Sequence, residues 1–180
     1  MKKFLFVVAA LATSMAASAQ LWVSGGLSLT NGSNWNVEKS RTNWGINPSI
    51  GYALDDALEV GLDFGIGGWS QDEASNFKFN VAPFVRYTFL SEGDFSMFVQ
   101  GAVNYTYSKD KDADKADWTF GVNVRPGVKY AFTDNFAMVA KFGSLYFSHN
   151  HPDGPSTGKS QNSFGLNIDT NLEFALVYSF

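Results

Sequence analysis

The sequence predicts an all-β fold: an eight-stranded antiparallel up-and-down transmembrane β-barrel, preceded by a cleaved signal peptide. The most informative segment is 164–180, where apolar side chains alternate with polar or small ones as far as Phe180. Successive side chains of a strand point to opposite faces, so this segment has one apolar and one polar face. Two further observations agree: an export signal precedes the strands, and other alternating segments are joined by connections of two lengths.

Residues 1–19 have the features of a secretory signal peptide. Lys2 and Lys3 precede an apolar run over 4–11, and small residues at 17–19 suit cleavage. We expect the mature chain to begin at Gln20 and residues 20–180 to form one β-barrel domain; a retained N-terminal anchor is the alternative. No later apolar run reaches the ~18 residues that a spanning helix needs.

Alternating segments after the signal are predicted to be strands. Their approximate bounds are 20–30, 42–54, 57–68, 77–90, 95–107, 118–131, 135–147 and 163–180. The connections after the second, fourth and sixth strands are short, whereas the others are mostly longer and polar: 31–41, 69–76, 108–117 and 148–162. Short turns on one rim and longer loops on the other are typical of an outer-membrane barrel with periplasmic termini.

The more apolar face of each segment carries no charged residue, although 17% of the chain is charged. Val60, Val122 and Leu176 lie on this face. A charge facing the middle of a bilayer costs about 2–4 kcal/mol, which explains the exclusion. A soluble β-sandwich also has one apolar face, but it rarely needs eight such strands with so many aromatic side chains. We therefore expect this face to contact lipid.

A short repeat marks the ends of the even-numbered strands. It reads Pro-x-x-x-Tyr at 48–52, 83–87 and 126–130, and recurs without the proline at 174–178. We expect its tyrosines to form an aromatic girdle at the inner headgroup level, with tryptophans at the other end of the barrel. The predicted girdle is Tyr52, Tyr87, Tyr130, Tyr178, Trp44 and Trp118, with Trp69 and Phe164 also at the tryptophan end. Because proline cannot donate a ladder hydrogen bond, we expect bulges at Pro48, Pro83 and Pro126.

The export signal, the eight strands, the repeated strand ends and Phe180 resemble the small outer-membrane barrels of the OmpX and OmpA type. The chain is similar to the broad outer membrane protein β-barrel domain, or porin-like, family of Gram-negative bacteria. In that family the barrel-assembly machinery recognises a final aromatic residue and the alternating apolar residues before it. The matching positions are Leu172, Phe174, Leu176, Tyr178 and Phe180. The resemblance implies an outer-membrane monomer in contact with outer-membrane lipids and lipopolysaccharide.

The inward face of the predicted barrel carries nearly balanced charges. The acids are Glu59, Asp63, Asp169 and Glu173, and the bases are Lys78, Arg86, Arg125, Lys129 and Lys141. An unpaired buried charge is costly, so we expect an ionic network in the lumen. Eight strands leave an interior just wide enough for side chains to fill, which favours a polar plug. A gated path for ions or small solutes is the alternative.

Two predicted loops contain residues that suit other chemistry. Residues 109–117 alternate in charge, but they lack the glycine and glutamate of a calcium loop, so a solvated loop is favoured. His149 and His151, beside Asp153, have a spacing that can hold zinc, although an exposed loop without metal is the simpler interpretation. Ser148 and His149 with Asp153 also suggest a hydrolase, and some small barrels modify lipid A, but adjacency does not establish catalytic geometry.

Composition excludes several functions. The formal net charge is −4 and no basic stripe is present, so nucleic acid is not an expected partner. The absence of cysteine removes disulfide and thiolate chemistry. We identify no catalytic, cofactor-binding or metal-binding residues. The sequence therefore predicts a structural or surface-interaction role, with a narrow porin-like channel as the alternative and a lipid A-modifying enzyme as a less favoured one.

Overall fold

The computed structural model describes residues 21–34, 37–71, 74–110, 116–152, 160–167 and 173–180. The predicted signal peptide, Asp169 and Leu172 lie outside these residues. The strands are β1 (Leu21–Asn34), β2 (Val37–Ala53), β3 (Leu58–Gln71), β4 (Ala74–Glu92), β5 (Phe95–Asp110), β6 (Ala116–Ala131), β7 (Phe136–Lys141), β8 (Ser144–Pro152), β9 (Gln161–Asn167) and β10 (Glu173–Ser179).

These segments form a closed antiparallel barrel of eight strands. Consecutive ladders join β1 through β6, and β1 pairs with β10 to close the sheet. Both β7 and β8 pair with β6, so they form one strand interrupted at 142–143. The eighth strand is formed by β9, which pairs with β8, and β10, which pairs with β7. The predicted eight-stranded antiparallel barrel is confirmed. No helix in the described ranges is long and apolar enough to cross a membrane.

The barrel is apolar outside and polar at its centre. Every strand carries large apolar side chains on its outer face. More than a third of the surface of these side chains is exposed, as for Ile50, Val85, Val122, Leu145 and Leu176. Among the described residues, the buried polar and charged side chains are Glu59, Arg86, Gln100 and Lys141. A water-soluble protein has the opposite arrangement, because it removes apolar surface from water. The outer surface therefore suits hydrocarbon.

Short turns at one rim are closed by local hydrogen bonds. Asp55 Oδ1 accepts hydrogen bonds from the backbone N–H groups of Ala57 and Leu58, both at 2.8 Å. In the turn before β7, Thr133 Oγ1 accepts in the same way from the backbone of 135 and 136. The turn after β4 contains Gly93 with φ at 56°, a conformation that favours glycine.

The strands at the opposite rim extend further than the sequence predicted. Ser33 pairs with Ser40, and Gln71 pairs with Ala74, so much of predicted loops 31–41 and 69–76 is strand. Strand residues also enter the predicted loops 108–117 and 148–162. Serine-rich and other polar pairs continue the ladder there, because backbone hydrogen bonds do not require an apolar face.

The prediction of bulges at the prolines is wrong for Pro48 and Pro83. Pairing keeps its register across both, and only the ladder on one side of each proline is interrupted. A missing N–H removes a hydrogen bond toward one neighbouring strand, so no extra residue is needed. Beside Pro126 the irregularity lies in the neighbouring strand, where residues 142–143 separate β7 from β8 and the register shifts. A register shift also occurs between Thr88 and Leu90.

Candidate functional site

The lumen contains one connected ionic network. On β3 and β4, Arg86 Nη1 lies 2.9 Å from Glu59 Oε2. Lys129 Nζ from β6 lies 3.6 Å from the other oxygen of the same carboxylate. Gln100 on β5 accepts hydrogen bonds from Arg86 Nε and Nη2 at 3.3 and 3.0 Å. These contacts join four strands across the barrel interior.

Gln100 continues the network toward the other wall. Its amide nitrogen donates to Asp63 Oδ2 at 3.0 Å, and Lys141 Nζ lies 3.6 Å from the same oxygen. Lys141 also pairs with Glu173 Oε1 at 2.8 Å, and Arg125 Nη1 pairs with Glu173 Oε2 at 2.6 Å. Seven of the nine predicted network residues are thus brought together. Lys78 lies apart from the network, and Asp169 lies outside the described residues.

An interruption in the seventh strand supplies a further acceptor. Gly143 has φ at 61° and its carbonyl accepts a hydrogen bond from Arg125 Nε at 3.3 Å. The preceding N–H, that of Phe142, donates to the carbonyl of Pro126 at 3.1 Å. The left-handed conformation at Gly143 therefore turns a backbone carbonyl toward the lumen arginine, at a position where other residues would be strained.

An aromatic cluster lies next to the network and was not predicted. Trp22, Phe84 and Phe98 are buried in the lumen, and Phe98 is only 1% exposed. The guanidinium carbon of Arg86 lies 5.0, 5.4 and 4.5 Å from the centres of these three rings. Cation–π attraction and the Glu59 ion pair thus act on the same buried charge. The lumen combines a polar centre with an apolar layer.

Glycines make room for these rings. Trp22, Phe84 and Phe98 are the cross-strand partners of Gly51, Gly61 and Gly127. A Cβ added at any of the three glycines would collide with the ring of its partner. Tyr146 covers Gly165 in the same way. Aromatic residues paired with inward glycines mark this cluster, but the pairs are recognisable only once the register between neighbouring strands is known.

Lys78 and Trp69 lie beyond the network, in the half of the lumen at the rim opposite the short turns, which we call the outer half. Both line a cavity of about 440 Å³ together with Asn43, Asn47, Asn76, Asn80 and Thr106. Lys78 makes no ion pair with the residues that the structure describes. Trp69 shares the inward face of β3 with Asp63, so its predicted place beside the outer headgroups is wrong. The alternation of β3 places it inside.

The other predicted aromatic residues lie near the two rims. Tyr87, Tyr130 and Tyr178 are exposed near the short-turn rim, and Tyr52 pairs there with Leu21. Trp44 and Trp118 are exposed near the opposite rim. On β10, Phe174, Leu176 and Tyr178 face outward, followed by Phe180. The Tyr178 ring meets those of Phe136 and Phe180 edge to face. Recognition of this segment by assembly factors stays a prediction.

His149 and His151 lie on β8 rather than in a loop. Nδ1 of His149 is 2.7 Å from Asn162 Oδ1, and the ring of His151 stacks on Trp118. Both share the face of Phe147, so Ser148 points to the opposite side of the sheet and cannot form a catalytic pair with His149. Among the described residues, no group of three His, Cys, Asp or Glu side chains is placed to hold a metal ion. Asp153 lies outside them.

Comparison with known proteins agrees with the geometry. The family described as "Outer membrane protein beta-barrel domain" matches residues 4–180. The structure is similar to Neisserial surface protein A of Neisseria, with 15% identity, a TM-score of 0.58, and 91% of this chain and 98% of that chain covered. It is also similar to the N-terminal β-barrel domain of OprF from Pseudomonas aeruginosa, with 18% identity, a TM-score of 0.53, and coverage of 89% and 98%.

A third similar structure is the outer membrane protein OprG from Pseudomonas aeruginosa, with 13% identity, a TM-score of 0.53, and coverage of 89% and 95%. No curated protein gives a significant sequence match. At these identities the similarity to the solved structures shows a shared fold alone. The family model matches the sequence along the whole barrel.

Proposed function

The chain belongs to the outer membrane protein beta-barrel domain family, and from this premise we propose a structural or surface-interaction role for a barrel whose lumen does not conduct. The observation that carries the proposal is the filling of the lumen by the ionic network and the aromatic cluster. The single side chain of Arg86 contacts residues of three other strands: Trp22 on β1, Glu59 on β3 and Gln100 on β5. An ion path there requires these groups to separate, and leaving buried charges unpaired is costly.

Planar-bilayer recording tests this proposal. The wild-type barrel is expected to give no stable conductance steps. The double variant Arg86→Ala with Phe98→Ala removes the central cation and a buried ring, and it is expected to conduct. Lys78→Gln is the matched control, because it removes a lumen charge that lies outside the network, and it should stay silent. Stable unit conductance of the wild-type barrel would overturn the proposal in favour of a narrow porin-like channel.

We further propose that the short turns and both termini of the barrel face the periplasm, with connections 31–41, 69–76, 108–117 and 148–162 outside the cell. The alternation of short and long connections between the strands supports this orientation, because outer-membrane barrels have short periplasmic turns and longer extracellular loops. Because the chain has no cysteine, single cysteines at Asp56 and Ser160 can be labelled without background. A membrane-impermeant maleimide added to intact cells should label Ser160→Cys and spare Asp56→Cys. The reverse pattern contradicts the orientation.

The proposed partners follow from the family and the exposed surface. The outward apolar face is expected to be surrounded by outer-membrane lipids and lipopolysaccharide, and the barrel-assembly machinery is expected to bind β10 during insertion. We propose a monomer without catalytic activity. Mass spectra of lipid A from cells that produce the wild-type protein and the His149→Ala variant should be identical. A product present only with wild-type protein would reveal an enzyme.

A further inference from the structure

The outer half of the lumen contains a cavity with the size of a binding pocket. Its volume is about 440 Å³, within the range of about 300–1,000 Å³ that ligand sites occupy. Gly45, Gly65 and Gly67 line it from inward positions on β2 and β3, where they add no side chain. The sequence thus leaves the outer lumen open while it fills the centre.

The cavity wall is rich in amides held in fixed orientations. Asn80 Nδ2 donates to Thr106 Oγ1 at 2.8 Å, and Asn76 Nδ2 donates to Ser108 Oγ at 2.8 Å. Asn43 and Asn47 line the cavity from β2. Amide groups both donate and accept hydrogen bonds, as the hydroxyl groups of a sugar require. Trp69 adds an apolar plane against which the C–H face of a sugar ring can pack.

One positively charged side chain of this cavity has no ion-pair partner among the residues that the structure describes. The lumen bases Arg86, Arg125, Lys129 and Lys141 each pair with a carboxylate. Lys78 lines the cavity, is exposed to it, and makes no ion pair within the described ranges. An ammonium group among neutral amides favours an anionic ligand over a neutral one.

The floor of the cavity limits how far a ligand can enter. Asn47 and Asn80 also border a smaller chamber of about 110 Å³, whose wall includes Asp63, Arg125 and Lys141 of the ionic network. Below this chamber lies the aromatic cluster. A solute that enters the outer cavity therefore reaches a closed end.

We propose that this cavity binds a small polyhydroxylated solute with one negative charge, such as a sugar acid. Its carboxylate pairs with Lys78, its hydroxyl groups bond to the asparagines, and its ring packs on Trp69. This binding goes beyond the structural role proposed above. It is measured separately from conductance, so either proposal can fail alone.

Isothermal titration of the refolded barrel in detergent tests the assignment, with D-glucuronate as the anionic probe and D-glucose as its neutral counterpart. Glucuronate is expected to bind at least tenfold more tightly than glucose. Lys78→Gln should weaken glucuronate about tenfold, since each factor of ten corresponds to about 1.4 kcal/mol, and should leave glucose unchanged. Trp69→Leu should weaken both sugars.

Lys109→Gln is the matched control, because Lys109 is exposed near the same rim and does not line the cavity. It should bind both sugars as the wild-type protein does. Heat-dependent gel migration verifies that each variant is folded, and Trp69→Leu provides an independent test should Lys78→Gln misfold. The proposal is overturned by three results: no glucuronate binding at millimolar concentration, equal affinity for both sugars, or equal losses in Lys78→Gln and Lys109→Gln.

Discussion

Replacing Arg86 with methionine should strongly destabilise the barrel. Methionine retains aliphatic contact with the surrounding rings but removes the ion pair and two hydrogen bonds to Gln100. The Glu59 side chain, 11% exposed, then keeps only the Lys129 ammonium at 3.6 Å among its described ion-pair partners. Breaking a buried ion pair costs about 3–5 kcal/mol. Because Lys129 remains, we expect a loss of about 3 kcal/mol in the free energy of unfolding.

Urea unfolding of the barrel in lipid vesicles, followed by tryptophan fluorescence, measures this loss. Lys78→Gln is the control and should change stability by less than about 0.5 kcal/mol. Adding Glu59→Gln to Arg86→Met should recover about 1–2 kcal/mol, because no unpaired carboxylate stays buried. The reasoning is refuted if Arg86→Met lies within about 1 kcal/mol of wild type, or if the double variant is no more stable than the single one.

Three further substitutions test other parts of the structure by the same unfolding measurement. Gly51→Ala should cost about 1–3 kcal/mol through collision with Trp22, and far less in a Trp22→Leu background; equal losses in both backgrounds would contradict the packing. Gly143→Ala should cost about 1–2 kcal/mol because of its positive φ, and an unchanged midpoint would argue against that conformation. Val122→Arg should cost about 2–4 kcal/mol in vesicles if this exposed side chain faces mid-bilayer lipid, whereas a neutral effect would place it in water.

The alternation of side chains was sufficient to predict the barrel and most of the residues in its lumen. Where a strand crosses lipid, one face meets hydrocarbon and the other meets the polar lumen. Apolar residues such as Val122 and charged residues such as Arg125 therefore lie on different faces, and this alternation is visible in the sequence. Beyond the lipid, both faces of a strand meet water and the alternation disappears. Ser70 and Ser75 nevertheless pair in the ladder between β3 and β4. Backbone hydrogen bonds continue the ladder there without an alternation of apolar and polar side chains.

Two other features depend on neighbouring strands and were therefore missed. The Phe98 ring has room in the lumen because Gly127 lies opposite it, and this pairing is visible only after the register is known. The effect of Pro48 depends on which neighbouring strand its missing N–H would have faced. A single strand considered alone contains neither piece of information.

The position of Arg86 has a consequence for how the protein enters a bilayer. In a flat sheet, β1 and β5 would be roughly 19 Å apart, at about 4.8 Å for each of four strand spacings. Yet Trp22 from β1 and Phe98 from β5 lie about 5 Å from the same guanidinium carbon. Glu59 and Phe98 lie on the two strands next to β4 and can meet Arg86 in an open sheet, whereas the Trp22 contact requires the sheet to curve. The final covering of the Arg86 guanidinium by Trp22 should therefore accompany closure of the barrel.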